Sequence, residues 1–374
     1  MISPRIFPRP VTGLLGAIAV LALAACQGPA PAAPGGAQSG QNPLCHLLNA
    51  CGQPPVALGP KAVPMAGAVE ATGALLYPRR NALVAFDLQS RQSTPIATFA
   101  ANASLSTPAT SPDRSRVALT VYTPSTDPKD LGGADLYVVD VASGEQRLLL
   151  PHDGSGVWLS EPAWSADGQT IYYTKRATIL ENGKYRGEAV SVERVGADGG
   201  TSEAVAQNAS SPTLSADGRY LAYLSPVGGT EPARLWVATI DGADPRQLVG
   251  PGFTQIAFPR FAPTGTQLVF AGVGGPARGH APPSGGSSLA RILGPAIAEA
   301  HGIPWDLWIV NADGSGLTRI TDVGEDSPVP AWSPDGSYIA FSGEIGLYLV
   351  QPATRETSML AQEPASGVVW VPVA

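Results

Sequence analysis

The chain has 374 residues, with 43 Gly, 37 Pro, 44% apolar and only 14% charged residues, and a formal charge of −7. So few charges argue against a coiled coil, a solvated helical bundle or a basic nucleic-acid binder, and DNA or RNA would be repelled on average. The length allows one large domain or two to three ordinary ones, and Gly plus Pro at about a fifth of the chain predicts many turns.

At the N-terminus, Arg5 and Arg9 precede residues 11–25 (VTGLLGAIAVLALAA), an apolar run of 15 residues. That is short for a membrane span and has the length of a signal-peptide core. No later stretch approaches 18 consecutive apolar residues. Removing residues 1–25 leaves 21 basic against 30 acidic residues, a net charge of −9. The run ends in Leu23-Ala24-Ala25-Cys26, which resembles the bacterial lipobox. The resemblance implies a diacylglyceryl group on the Cys26 sulfur and cleavage that makes Cys26 the N-terminus; the alternative is an ordinary secretory signal with an incidental cysteine. Two or three acyl chains hold a protein on a membrane where one is marginal. Gln27 after Cys26 resembles lipoproteins that are not retained at the inner membrane, and the resemblance implies a chain outside the cytoplasm, anchored to the outer membrane or cell surface.

Residues 26–71 read as a tether. Residues 27–42 (QGPAPAAPGGAQSGQN) lack both charge and large apolar side chains, so burial cannot offset the entropy of ordering them. With Cys26 lipidated, Cys45 and Cys51 remain as an even pair outside the cytoplasm. A disulfide stapling a small loop, two free thiols, or a metal site with adjacent His46 are the readings open to them.

From about residue 72 the sequence repeats. The copies are Pro108-Ala-Thr-Ser-Pro-Asp113, Pro162-Ala-Trp-Ser-Ala-Asp167, Pro212-Thr-Leu-Ser-Ala-Asp217, Pro259-Arg-Phe-Ala-Pro-Thr264 and Pro330-Ala-Trp-Ser-Pro-Asp335. The markers stand 54, 50, 47 and 71 residues apart, and the last interval contains an insertion at about 274–303. Each copy predicts a strand with Trp164, Leu214, Phe261 or Trp332 turned into the core. A tight turn and a largely buried second strand (IYYT, LAYL, LVFA, IAFS) follow. A third strand (DLYVVD, RLWVAT, DLWIVN, GLYLVQ) and a fourth, edge strand complete the unit. Four antiparallel strands every 45 to 55 residues are one propeller blade.

The PxWSPDG line followed by DLWIVNADGSG resembles the TolB-type, or WD40-like, β-propeller repeat, over about 300 residues. Thr110, Arg114 and Thr264 depart from it and mark divergent blades. Residues 73–98 supply second to fourth strands without a first, whereas residues 367–372 (GVVWVP) form a first strand with nothing after it, with Trp370 at the aromatic position. Joining them predicts an all-β fold of six four-stranded blades over 72–374, closed by strands from both termini, which removes sticky edges. The resemblance implies partners in the cell envelope, although TolB-like periplasmic proteins carry an N-terminal α/β domain and only about 46 residues separate Cys26 from the first blade strand here.

Chemistry-bearing motifs are sparse. The four His, at 46, 152, 280 and 301, have no zinc-type spacing, and there is no GxSxG elbow, phosphate loop or dinucleotide fingerprint. Asp113, Asp167, Asp217 and Asp335 read either as a cation-binding carboxylate ring or as caps of their own hairpins. The insertion starts as a Gly/Pro arm and turns weakly helical at residues 288–301, which suits a self-packed lid or a partner-binding segment. The expected protein is a monomeric lipoprotein without enzymatic activity, cofactor or metal, binding a protein, peptide or glycan; a propeller hydrolase or lyase, or a small-solute capture protein, are the alternatives.

Overall fold

The computed structural model describes residues 66–67, 70–127, 129–227, 231–276 and 305–372. The expected signal peptide (residues 1–25), Cys26, Cys45, Cys51, most of the expected tether (residues 26–71) and the part of the insertion expected to be helical (residues 288–301) lie outside the described residues. Among those described there is no helix, and every strand pairing except one is antiparallel.

Strands β1 (Ala74–Arg79), β2 (Ala82–Asp87) and β3 (Ser93–Thr98) form a meander. There follow β4 (Ser104–Leu105), β5 (Ala109–Thr110), β6 (Arg116–Tyr122), β7 (Gly133–Asp140) and β8 (Gln146–Leu150). Next come β9 (Val157–Trp164), β10 (Thr170–Glu181), β11 (Lys184–Gly196) and β12 (Glu203–Gln207). β4 to β12 share one nine-stranded sheet. Three separate four-stranded blades then succeed one another. The first holds β13 (Ser210–Leu214), β14 (Tyr220–Ser225), β15 (Arg234–Thr239) and β16 (Arg246–Gln247). The second holds β17 (Phe253–Phe261), β18 (Gln267–Gly274), β19 (Asp306–Asn311) and β20 (Thr318–Arg319). The third holds β21 (Val329–Trp332), β22 (Ile339–Ser342), β23 (Leu347–Gln351) and β24 (Glu356–Ala361). Last, β25 (Val369–Val371) crosses to the N-terminal meander and makes it a fourth four-stranded blade.

The sheets form a propeller-like ring. The second strand of each repeat reads as a continuous apolar run because it is covered on both faces. Leu75, Leu76 and Tyr77 on β1 and Ile339, Ala340 and Phe341 on β22 are all fully buried. Apolar clusters fill the gaps between neighbouring sheets: Leu224, Val237, Phe270 and Trp308 pack together in one, Val269, Leu307, Trp332 and Tyr348 in the next. The series returns to its start, since Leu75 and Trp370 pack on Leu349 while Leu76 and Val369 pack on Val117 and Leu119.

Closure rests on a short register, Ala74↔Val371, Leu75↔Trp370 and Leu76↔Val369. Trp370 is only 1% exposed, and its indole N–H donates to Thr72 O at 3.0 Å. Gly73, at φ +113°, admits the strand: a Cβ there would lie 2.5 Å from Val371 O.

The sheet count differs from the six separate four-stranded sheets that the repeats predict. β7 and β9 pair in parallel, Gly133↔Val157 and Ala134↔Trp158, and so weld two repeats into the nine-stranded sheet. Glycine makes the weld possible, because a Cβ on Gly133 would sit 2.5 Å from Val157 O. The β10–β11 hairpin is also about twice the length of its counterparts, with Ile179, Leu180 and Tyr185 exposed near its tip.

Trp370→Ala is expected to remove about 3–5 kcal/mol of unfolding free energy, the usual result of emptying a buried Trp site. Ile345→Ala, at a side chain 38% exposed, serves as the near-silent control. Denaturant unfolding of the two variants checks this, and equal effects would refute a closure that depends on Trp370.

Candidate functional site

A cavity of about 360 Å³ lies on the axis of the ring. Its wall takes one segment each from β5, β9, β13, β17, β21 and β25, the strands at the inner edge, together with the turns that follow them. In β9, β13 and β21 the sequence builds this wall from a proline followed by a small residue and then an apolar one. β9, β13 and β17 have register irregularities where they meet their neighbours, and Glu161, Ser211 and Phe258 there take positive φ before a proline. Such bulges bend a strand and re-aim its side chains.

Aromatic side chains brace the wall. The indole N–H of Trp164 donates to Ala109 O at 3.1 Å, and that of Trp332 to Arg260 O at 3.2 Å, each reaching the preceding inner strand. The Thr213 hydroxyl accepts from the Phe261 N–H at 3.0 Å and joins β13 to β17.

Asp113, Asp167, Asp217 and Asp335 are exposed, each within its own turn. Their carboxylates accept from the serine two residues earlier, Ser111, Ser165, Ser215 and Ser333, at 2.5–2.6 Å. They also accept from the backbone N–H two residues later at 3.0–3.1 Å. Each serine oxygen in turn accepts the N–H of the residue five further on, at 2.9–3.0 Å. This relay satisfies the donors of a tight turn. Ser333 and Ser337 push the Asp335 carboxyl down to about 2. Ala262 and Thr264 occupy these places after β17, and that turn is held by the Ala262 N–H to Gln267 O bond at 2.7 Å.

Arg114 stands where Gly168, Gly218, Gly265 and Gly336 stand in the other turns, and it shares their positive φ, at 61°. Its guanidinium lines the cavity and donates from Nη1 to Trp370 O on the closing strand. A departure from the repeat is thus a clamp between the first internal turn and the last strand.

Arg260 is the residue that motif reasoning passes over. The column after the proline holds Ala109, Ala163, Thr213 and Ala331, and β17 alone places an arginine there. The side chain lies deep in the protein yet keeps part of its surface on the cavity. Nη1 donates to Pro259 O at 2.8 Å, whereas Nη2 is buried with no hydrogen-bond partner. Burial pushes the guanidinium pKa down, and the charge of Glu161 opposes that shift. The Glu161 carboxylate is itself engaged, by Thr174 Oγ1 at 2.8 Å, Ser211 N at 2.9 Å and Ser211 Oγ at 2.7 Å. Among the described residues, no Asp or Glu lines the cavity.

Of the histidines, His152 is described, and its Nδ1 lies 2.6 Å from Asp135 Oδ1, away from the cavity wall. Among the described residues, no three His, Cys, Asp or Glu are grouped to hold a metal. Asp306 on β19 is buried beside Arg319 and Thr321. Desolvation pushes its carboxyl up to about 6, and Arg319 offsets only part of that shift.

No family model matches the chain, and no curated protein sequence matches it. Solved structures share its architecture. TolB from Acinetobacter baumannii is 15% identical, with a TM-score of 0.55, over 83% of this chain and 68% of that one. A chain of the nidogen/laminin complex is 12% identical, with a TM-score of 0.54, over 79% and 97%. A TolB-like protein from Agrobacterium tumefaciens is 16% identical, with a TM-score of 0.51, over 81% and 100%. At these identities the likeness establishes a β-propeller fold.

Two carboxyl types set the pH response. The turn carboxyls, Asp335 among them, have folded values below the ordinary 3.8, so their stabilisation is present above pH 4 and lost as pH falls toward 2. Asp306 has a raised value, so its contribution is present below about pH 4 and lost as pH rises through 6. Burial also raises the Glu325 carboxyl, so Asp306→Asn is expected to reduce the decline in Tm between pH 4 and 7 without abolishing it and to leave the acid limb unchanged. Melting curves across pH 2–8 read both limbs, and an unaltered decline would show that Asp306 does not drive it.

Proposed function

We propose that the chain is an extracytoplasmic lipoprotein whose propeller acts as a binding module, docking a segment of an envelope partner in its axial cavity. The observation that carries this reading is the cavity itself. Inner strands from the whole ring build it, the turns behind it are locked by serine–aspartate relays, and its volume suits a peptide or glycan segment or a solute better than a folded domain. The chemistry on its wall suits recognition: two guanidinium groups, indole rings and hydroxyls. We count six blades, taking the nine-stranded sheet as two blades joined by the β7–β9 pairing. The six inner-edge segments around the cavity and the cyclic series of apolar clusters support that count.

The anchor rests on the lipobox-like Leu23-Ala24-Ala25-Cys26 and the uncharged tether that follows it. The nidogen/laminin complex gives a precedent for this architecture in a protein assembly. Two acids about 5–10 Å apart facing one pocket would favour glycoside hydrolysis, and the described wall offers arginines instead.

Two experiments test the reading. Cys26→Ser is expected to move the protein from the membrane to the soluble fraction, and retention on membranes would refute lipidation. Ala163→Trp, which fills the cavity from β9, is expected to abolish co-purification of the partner that the full-length chain captures from native membranes, with a cooperative melt retained. Undiminished capture by a folded Ala163→Trp protein would place the docking surface elsewhere.

A further inference from the structure

We propose that the axial cavity is a carboxylate-binding site in which Arg260 is the principal ligand-contacting residue, with Arg114 and Thr213 as neighbours. This rests on the reading of the cavity as the docking site and names the chemistry of what docks.

Three observations converge on it. The first is positional. The inner-edge column is filled by the small residues Ala109, Ala163, Thr213 and Ala331, and in β17 the same place holds Arg260, which lines the cavity. Removal of the side chain would leave in place the bond that the Trp332 indole N–H donates to Arg260 O.

The second is satisfaction. A buried charged donor without a partner is costly, and such groups in native proteins call for a specific explanation. Nη2 of Arg260 has no partner, Nη1 reaches only the carbonyl of the preceding residue, and the Glu161 carboxylate is committed to Thr174 and Ser211. The guanidinium fork matches the two oxygens of a carboxylate, which it binds in a bidentate manner.

The third is the sign of the wall. The whole chain is acidic at −7, yet the described cavity lining has Arg114 and Arg260 and no Asp, Glu, Lys or His. A low-dielectric concavity lined by one sign of charge focuses its field and concentrates the opposite ion. Thr213, whose oxygen accepts the Phe261 N–H, retains its own proton to donate beside Arg260.

A free dicarboxylate and an acidic side chain of a peptide share this chemistry, and two probes separate them. The purified full chain is titrated with succinate and with an acidic tripeptide blocked at both ends, against chloride at matched ionic strength. Calorimetry and tryptophan fluorescence give the readout, since Trp164, Trp332 and Trp370 line the cavity. Saturable binding of at least one probe is expected, weakened tenfold or more in Arg260→Met and severalfold in Thr213→Val. Preference for succinate indicates a solute, and preference for the tripeptide a chain segment. Binding equal in wild type and Arg260→Met overturns the proposal, and so does the lack of saturable binding of both probes to the wild type. Should Arg260→Met fail to fold, Arg260→Gln, which keeps a polar planar group without the charge, is held to the same tenfold criterion. Capture of a partner without carboxylate binding would sink this inference alone, whereas carboxylate binding without capture would sink the broader docking role alone.

Discussion

The ring depends on the antiparallel pairing of β25 with β1. A single sheet of this sequence leaves apolar surface on both faces, and that surface is covered only when each sheet has neighbours on both sides. Three residue pairs bring the two ends of the described chain together, and the buried Trp370 fills the gap between them. Without that pairing, the inner edge of β1 and one face of the meander would be exposed, which makes both local stability and solubility contingent on the last strand. Arg114, in a strained left-handed conformation at a place where glycine is at ease, reaches the same strand and adds a second tie.

Rigidity at the axis has a local origin. Each relay of serine and aspartate fixes a turn by hydrogen bonds that span only five residues, and the Trp164 and Trp332 indoles tie neighbouring inner strands. The outcome is a cavity whose walls hold their shape without long-range ionic contacts. Several ion pairs, Arg186 with Glu181, Arg194 with Glu203 and Arg219 with Asp217, are exposed and contribute little to stability. Against this background Arg260 stands out, since its Nη2 is buried without a partner in a wall braced by these bonds.

The repeat, the strand roles and the joining of the two ends were legible in the sequence, because each depends on nearest-neighbour chemistry: alternation and burial of strands, Asp-Gly turns, and an unpaired first strand at one end facing a missing one at the other. The fusion of two repeats into a nine-stranded sheet was not legible. It arises from a close approach at Gly133 between segments that the repeat treats as separate. The candidate site was legible only in part. Trp164, Trp332 and Trp370 could be placed inside from the motif. Arg260 is the odd residue in its column, which the repeat motif passes over, and its orphaned donor and the charge of the wall needed the strands assembled around the axis.

The sequence by itself determined an all-β chain of repeated strand units with aspartates for its turns and an apolar N-terminal run ending in Leu23-Ala24-Ala25-Cys26, since these follow from local pattern and composition. Only the tertiary structure decided which of the scattered polar residues share a space. Segments far apart along the chain, near residues 110, 165, 214, 260, 331 and 369, meet at one cavity because the ring closes, and closure alone gives the arginines a common site with no acid on its described wall. The physical reason is that strand pairing acts over a few residues, whereas the electrostatic character of a cavity is the sum over every segment that surrounds it.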